Sequence, residues 1–488
     1  MAQRRLGEVR AARLAKRAAL VASGQVLYPS EARRTHRAAD WHKQFVNLVA
    51  ENTPVTVAGR VTGVRRHGRI VFVNVADPTG SVQLYMSADE VPSEIFTQLD
   101  YLDAGDFIQA AGSAGKTKRG TPTLVVREWH LLSKSIRPLP GRHFGLKDTE
   151  ARLRQREVDL LLNPASAAVL HVRSRVTGWL RGRLSSDGYL EVETPILQAT
   201  VGGAWAEPFT THHKALGLDL HLRIAPELYL KRLLVGGFEK VFELGRVFRN
   251  EGIDRDHNPE FTMCELYWAY ADYEDLMDYT EQLLAALVAD VHTSDTLVYQ
   301  REELMFTPPW PRVRYIDRMR QELGFDILAK KEPERYVAEF AKRRLAVPAV
   351  SSYVKLLDGL YKELVRPTFE QPTIVYDYPL EMAPLAKRST QDERVAEQFQ
   401  VIAAGVELIK AYTELNDPVE QRERFAQQKA ARLAGDAEIA ETDETYLQAL
   451  ELGMPPAAGL GLGVDRLVAL LAGCSSIRET VAFPLLKP

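Results

Sequence analysis

The densest run of reactive side chains in the chain is residues 242–276, FELGRVFRNEGIDRDHNPEFTMCELYWAYADYEDL. Two strand-like stretches flank a polar loop that carries Arg249, Glu251, Arg255, His257 and Asn258. A buried hairpin core would not collect these charges, whereas a loop that holds a polyphosphate would. Arg249, at a strand end, can fork onto a phosphate, and His257 can meet a terminal one. Phe261 can stack a purine. Further on, Glu265 and Tyr267 stand two residues apart, which places both on one face of a strand. An acid beside a phenol makes a pocket for a cation; the alternative is a pair facing solvent.

A second candidate is the glycine-rich junction GLGLGVDRL at 459–467. It lacks the final spacing of a dinucleotide fingerprint, and no G-x-x-x-x-G-K-[ST] occurs, so a P-loop is excluded as the nucleotide site. Its glycines would let a strand approach a flat ligand, with Arg466 opening the next helix. In GVELIKAYTELNDP, Glu407 is a candidate for a metal contact and Glu414 for a cation contact or a further metal contact; a charged helix or strand edge is the plainer reading.

The elements that must position these residues fall into an α+β arrangement. Residues 54–137 alternate β-branched and polar side chains between Gly and Pro-Thr-Gly turns, the texture of a small oligonucleotide-binding barrel. Phe72, Tyr85 and Trp129 are available there for base stacking, with Gln83 and Glu128 for hydrogen bonds. Before it, residues 1–50 form a basic helical arm: Arg4, Arg5, Arg10, Arg13, Lys16 and Arg17 face a single acid, Glu8, in the first twenty positions. Such an arm would neutralise phosphates and make binding salt-dependent. A proline-containing connector spans 138–150. From 151 the texture is mixed: a helix ending at Gly188, a strand at YLEVETPILQ, strand-rich blocks at 218–225, 239–249 and 260–271, and a helical insertion within about 295–370. A long helix is expected at 391–411 and a charged one at 418–434.

Composition bounds the rest. With 62 Lys and Arg against 65 Asp and Glu and 45 % hydrophobic residues in 488, the chain is neither disordered nor fibrous. No apolar run reaches the ~18–20 residues of a membrane span. Two cysteines, Cys264 and Cys474, exclude a disulfide framework and fit a reducing compartment, so a cytoplasmic protein is expected.

Together, APELYLKRLLVGGFEKVFELGRVFRNEG, HNPEFTMCELYWAYADY, AYTELNDP and GLGLGVDRL resemble the class II lysyl-tRNA synthetases of the bacterial and eukaryotic type, and the likeness runs from YPSEARRTH to the terminal FPLLKP. GYLEVETPIL is similar to motif 1 of that family, FRNEG to HNPEFT to motif 2, and GLGLGVDRL to motif 3. The resemblance implies an N-terminal OB-type barrel, an antiparallel sheet flanked by helices, and a homodimer built largely on motif 1. It implies ATP, lysine and tRNA as partners, with Mg²⁺ as cofactor. Arg249 would grip the α-phosphate and the amino-acid carboxylate, and Phe261 and Arg466 would sandwich adenine. Glu251 and Asn258 would read the adenine edge, with His257 near the γ-phosphate. Glu227 with the Gly203 backbone would hold the α-ammonium, and Glu265, Tyr267 and Glu414 the ε-ammonium. In the barrel, Phe72, Gln83 and Glu128 match the positions that hold the central anticodon uridine.

Three departures from the family stand out. Gln400 replaces a glutamate that binds Mg²⁺ with the residue matching Glu407, and Lys410 replaces an asparagine beside the substrate carboxylate. Together they make the site two units more positive. Glu207 stands for a basic residue and Trp205 for a small one. Two readings follow: a lysine enzyme in which Lys410 takes over part of a metal ion's work, or a paralogue for another lysine-like amino acid. A non-catalytic tRNA-binding protein is a third, opposed by the retained Arg249, His257, Phe261, Glu407 and Arg466.

Overall fold

The computed structural model describes residues 2–139, 148–349, 352–433 and 442–487, and the chain divides into two compact units, residues 1–146 and 147–488. Most of the expected 138–150 connector lies outside the described residues.

In the first unit, strands β1 (Pro54–His67), β2 (Ile70–Asp77), β3 (Gly80–Ser87), β4 (Phe107–Lys116) and β5 (Pro122–Ser133) close into a barrel in the order β1-β2-β3-β5-β4. Strict alternation drives this closure: Val71, Val73 and Val75 of β2 and Val82, Leu84 and Met86 of β3 point inward and are buried. Helix α1 (Ala2–Ala22) and helix α2 (Ala38–Ala50) precede the barrel, and α2 buries Trp41, Phe45 and Leu48 on one face. Two sequence expectations change here. Trp129 is no stacking platform: it is buried in the barrel, its Nε1–H donating to the Ile95 carbonyl at 3.3 Å. Arg13 is no phosphate contact: it is buried and donates to the carbonyl oxygens of Ala104, Ser135 and Arg137 at 2.9, 3.1 and 3.0 Å. Arg10 and Arg17 remain exposed.

The second unit is organised on an eight-stranded sheet. Its strands are β6 (Leu190–Glu191), β7 (Lys240–Phe248), β8 (Glu260–Ala269), β9 (Arg312–Arg314), β10 (Thr373–Pro379), β11 (Val395–Ala403), β12 (Val406–Thr413) and β13 (Ala457–Gly463). They run in the order β9-β10-β11-β12-β13-β8-β7-β6. Helices α3 (Pro164–Ser186), α4 (Glu227–Val235), α5 (Tyr273–His292) and the motif 3 helix α6 (Val464–Leu471) cover it. The insertion contributes three more helices, Tyr315–Leu323, Pro333–Arg343 and Tyr353–Leu360.

The helix expected at 391–411 is instead the hairpin β11–β12. Ala404 and Gly405 both take left-handed φ, 50° and 70°, the geometry of a tight hairpin turn. β11 is buried on all but one of its residues, so it carries no in–out alternation and reads like a core helix, while β12 buries only half of its residues. The strand expected at YLEVETPILQ shrinks to Leu190–Glu191 and Leu197–Gln198 around Pro195.

Candidate active site

Strand register decides which side chains share the sheet face beneath the second unit's cleft. Gln400 pairs with Lys410, Lys410 with Gly461, and Gly461 with Glu265, one residue from each of β11, β12, β13 and β8. Two residues along, Gln398, Tyr412, Gly459 and Tyr267 form a parallel row. Period-two alternation puts both rows on one face. The glycines of β13 keep the middle of that face open beneath a cleft of about 670 Å³.

One end of the cleft is acidic. Glu265 accepts from the Tyr267 hydroxyl at 3.2 Å, as the spacing predicts. Burial, with the nearby Glu227 charge, pushes the Glu265 carboxyl up to about 8. Glu414, just past β12, is fully buried, and its Oε1 has no hydrogen-bond partner. That oxygen lies against Gly459, where a Cβ would stand 2.1 Å from it and 2.4 Å from the Tyr267 ring. Glu227 opens α4 and accepts at Oε1 from Lys231 Nζ at 2.7 Å and from the Tyr412 hydroxyl at 2.5 Å. Its Oε2 faces Gly203, whose φ of +87° brings that loop close. Lys231 also pairs with Glu414. Sequence reasoning missed Lys231, although its i, i+4 spacing from Glu227 in ELYLK is a readable signal.

The other end is cationic. Arg249 follows β7, its guanidinium carbon 5.1 Å from the centre of the Phe261 ring. Arg466, in the first turn of α6, lies 3.5 Å from Glu407 Oε1 and meets His257 Nε2 at 3.3 Å. His257 Nδ1 in turn sits 2.9 Å from Asp254. Asn258 is buried with Oδ1 unpartnered, and Glu251 lies exposed on the same loop. Arg255 turns instead to Asp256, at 3.3 Å. Burial raises the Glu407 carboxyl, but Arg466, Lys410, Arg366 and Lys362 outweigh it and hold the group below its ordinary value. Enclosure lowers the Lys410 ammonium, with Glu407 pulling the other way.

The insertion supplies cleft residues that sequence reasoning did not single out. Lys355 on the last insertion helix, Lys362 in the π-helical turn Tyr361–Val365 that continues it, and Arg366 in the following 3-10 turn all line the cleft. Lys355 Nζ lies 5.6 Å from the Trp205 ring, which gives that departure a partner. Glu207 stays exposed and reaches the motif 2 loop only through its carbonyl, which accepts from Asn250 N at 2.7 Å.

For a metal ion, the three sequence candidates do not come together. Glu407 and Glu414 are seven residues apart on an extended segment, about 23 Å, and Glu414 is taken by Lys231. Gln400 Oε1 accepts from the Tyr378 hydroxyl at 2.8 Å. Among the described residues no group of three His, Cys, Asp or Glu could hold a metal ion. Glu407 alone remains, sufficient for an ion that takes its other ligands from nucleotide phosphates and water.

In the barrel, Phe72 packs edge-on to Tyr85 at 5.6 Å, and both are half-buried on the outer face beside Gln83. Glu128 is exposed, its carboxylate 2.9 Å from His130.

Residues 148–487 match the family described as tRNA synthetases class II (D, K and N), and residues 55–132 match the OB-fold nucleic acid binding domain. The chain is 45 % identical to a lysine–tRNA ligase of Pelotomaculum thermopropionicum, over 99 % of this chain and 96 % of that protein. It is 45 % identical to the lysine–tRNA ligase of Chloroflexus aurantiacus over 99 % of both chains. To that of Carboxydothermus hydrogenoformans it is 42 % identical over the full length of each.

Proposed function

The chain belongs to the class II tRNA synthetases of the D, K and N group, and from that premise we propose that it is a lysine–tRNA ligase whose ATP and lysine meet across the glycine strand β13. The observation that carries this reading is the polarity of the cleft. A cationic end with Arg249 and Arg466 suits a triphosphate, and a closed acidic end with Glu265, Tyr267 and the unpartnered Glu414 oxygen suits an ammonium group.

The lysine carboxylate attacks the α-phosphorus in line and pyrophosphate leaves. The terminal ribose hydroxyl of the tRNA then attacks the adenylate carbonyl and releases AMP. Arg249 holds the α-phosphate and carboxylate together, so positioning and charge neutralisation do most of the work. Phe261 and Arg466 take the adenine faces, Glu251 and Asn258 its edge, and His257 the γ-phosphate. Glu227 and the Gly203 backbone take the α-ammonium. Glu265, Tyr267 and Glu414 read the ε-ammonium and reject neutral isosteres, which would leave buried carboxylates unpaired. Glu407 would hold Mg²⁺, which when bound would supply neutralisation of phosphate charge. Lys410 stands in the same row as Glu265 and adds a fixed positive charge where carboxylate and phosphate converge.

Phe72, Gln83 and Glu128 on the barrel's outer face bind the anticodon. Exposed Leu190, Ile196, Leu197 and Leu218 around motif 1 support a homodimer that covers them. No helix among the described residues is long and apolar enough to cross a membrane; we place the protein in the cytoplasm.

The test is amino-acid-dependent ATP–pyrophosphate exchange with lysine, ornithine, hydroxylysine, β-lysine and the other standard amino acids, followed by charging of lysine tRNA. Lysine-selective exchange with charging is the expected result. Exchange with a different amino acid would favour the second reading, a paralogue, which the Gln400–Lys410 pair supports. No exchange at all would leave a tRNA-binding protein.

A further inference from the structure

Lys231 is fully buried beneath the acidic end of the cleft and takes no part in the reaction just described. Its ammonium bridges two glutamates from separate elements: Glu227, at 2.7 Å, on its own helix, and Glu414, beyond β12. The Tyr412 ring lies 5.4 Å from Nζ, and its hydroxyl donates to the same Glu227 oxygen. Each glutamate therefore commits one oxygen to Lys231 and turns the other away. Glu227 Oε2 faces Gly203, at the α-ammonium position, and Glu414 Oε1 faces Gly459 and Tyr267, at the ε-ammonium position. A simple folding role accounts for the ion pair but not for the free oxygen. Glu414 Oε1 is buried and unpartnered, which folded proteins seldom leave so unless a ligand completes it.

We propose that Lys231 is a strut: by holding Glu227 and Glu414 from one fixed ammonium, it sets the distance between the two ammonium acceptors and so the pocket's preference for a side chain of lysine's length. The inference rests on the lysine–tRNA ligase reading and deepens it. The charges agree. Glu227, Glu265 and Glu414 offer three carboxylates, Lys231 supplies one ammonium, and lysine brings the two that remain. Ornithine carries the same charges one methylene shorter, so it satisfies one end at the expense of the other. Without Lys231 the pocket would hold three acids facing two ammonium groups, free to separate or close up, and length would cease to be read. Lys231 is thus a positioning residue, acting only through the two glutamates.

The experiment compares exchange kinetics of the full-length wild type, Lys231→Met and Lys231→Gln with lysine and with ornithine, with melting curves on each protein. In the wild type we expect lysine to be preferred by roughly 100-fold, within the range one methylene can give. In folded variants that preference should fall at least tenfold, with lysine KM rising more than kcat falls. A variant that loses both activities in step, with the lysine-to-ornithine ratio unchanged, overturns the strut and makes Lys231 an ordinary structural ion pair. A wild type that does not activate lysine overturns the ligase reading instead, so the two failures are distinct. Should both variants unfold, the wild type still decides by calorimetry with diamines. Binding of 1,5-diaminopentane at least tenfold tighter than the four- and six-carbon homologues supports a fixed spacing, and equal binding of all three overturns it.

Discussion

At the residue scale, the cleft turns on the pair Gln400 and Lys410. They face each other across β11 and β12, one contributing a neutral amide committed to Tyr378 and the other an ammonium close to Glu407. A hard cation binds more weakly to an amide than to a carboxylate, and less favourably still beside a fixed positive charge. If Lys410 performs part of a metal ion's work, the double variant Lys410→Asn with Gln400→Glu should stay active but depend more steeply on Mg²⁺. Exchange rates across a Mg²⁺ titration report this, and a double variant dead at every Mg²⁺ concentration counts against the idea. Glu265 gives a second prediction at this scale. Its carboxyl is raised to about 8, chiefly by burial and then by Glu227, with Tyr267 and Arg249 opposing. Below that value it is neutral, above it charged, and an ammonium ligand binds the charged form. Lysine KM should therefore fall as pH climbs from 6.5 to 8.5, by up to about tenfold per unit on the acid side. In Glu265→Gln the KM should be higher and this segment of the profile flat. A wild-type KM that does not change with pH would sink the assignment.

At the scale of elements, β13 is the part of the site least tolerant of change. A Cβ on Gly459 would stand 2.1 Å from Glu414 Oε1 and 2.4 Å from the Tyr267 ring, so one of them must leave its place. Overpacking of this kind costs about 1–3 kcal/mol, and here it falls on two groups assigned to the ε-ammonium. Gly459→Ala should raise lysine KM at least tenfold while ATP KM stays within a few-fold. Equal damage to both substrates would show that the strand merely fails to fold. The need for glycines was legible in GLGLGVDRL, and so was the acid–phenol pair on β8, because period-two spacing survives in any strand. The β11–β12 hairpin was not legible, since β11, buried on all but one residue, carries no alternation and only Ala404 and Gly405 mark the turn. For the same reason the cross-strand partnership of Gln400 with Lys410 lay hidden until the register was known. Lys231 and Lys355 were missed because a helical lysine, even one with a glutamate four residues before it as Lys231 has, reads as solvent-facing until a neighbouring element buries it or a cleft claims it.

At the scale of the whole molecule, the two compact units carry different family matches: the second the class II synthetase domain, and the first an OB-fold nucleic acid binding domain, to which we assign the reading of the RNA. Phe72, Gln83 and Tyr85 keep part of their surface outward on the barrel, whereas Trp129, equally aromatic, is spent on the core. A half-buried ring held edge-on by a neighbour is rigid enough to stack a base, and one base–aromatic stack is worth about 1–3 kcal/mol. Phe72→Ala should therefore raise the KM for tRNA by about 5- to 150-fold. Glu128→Ala, which removes an exposed acceptor that can read a base edge, should raise it less. Both should leave lysine-dependent pyrophosphate exchange unchanged, because that half-reaction needs no RNA. As phosphate contacts, the exposed Arg10 and Arg17 would act differently, since such contacts carry no sequence information. Replacing both with Ala should weaken binding of any tRNA and make its affinity less sensitive to salt, by a slope of about 0.9 or less for each phosphate that is no longer neutralised. The salt slope separates the two effects. An unchanged slope in Phe72→Ala with a reduced slope in the arginine variant is the expected pattern, and the reverse would place anticodon reading on some other face of the barrel.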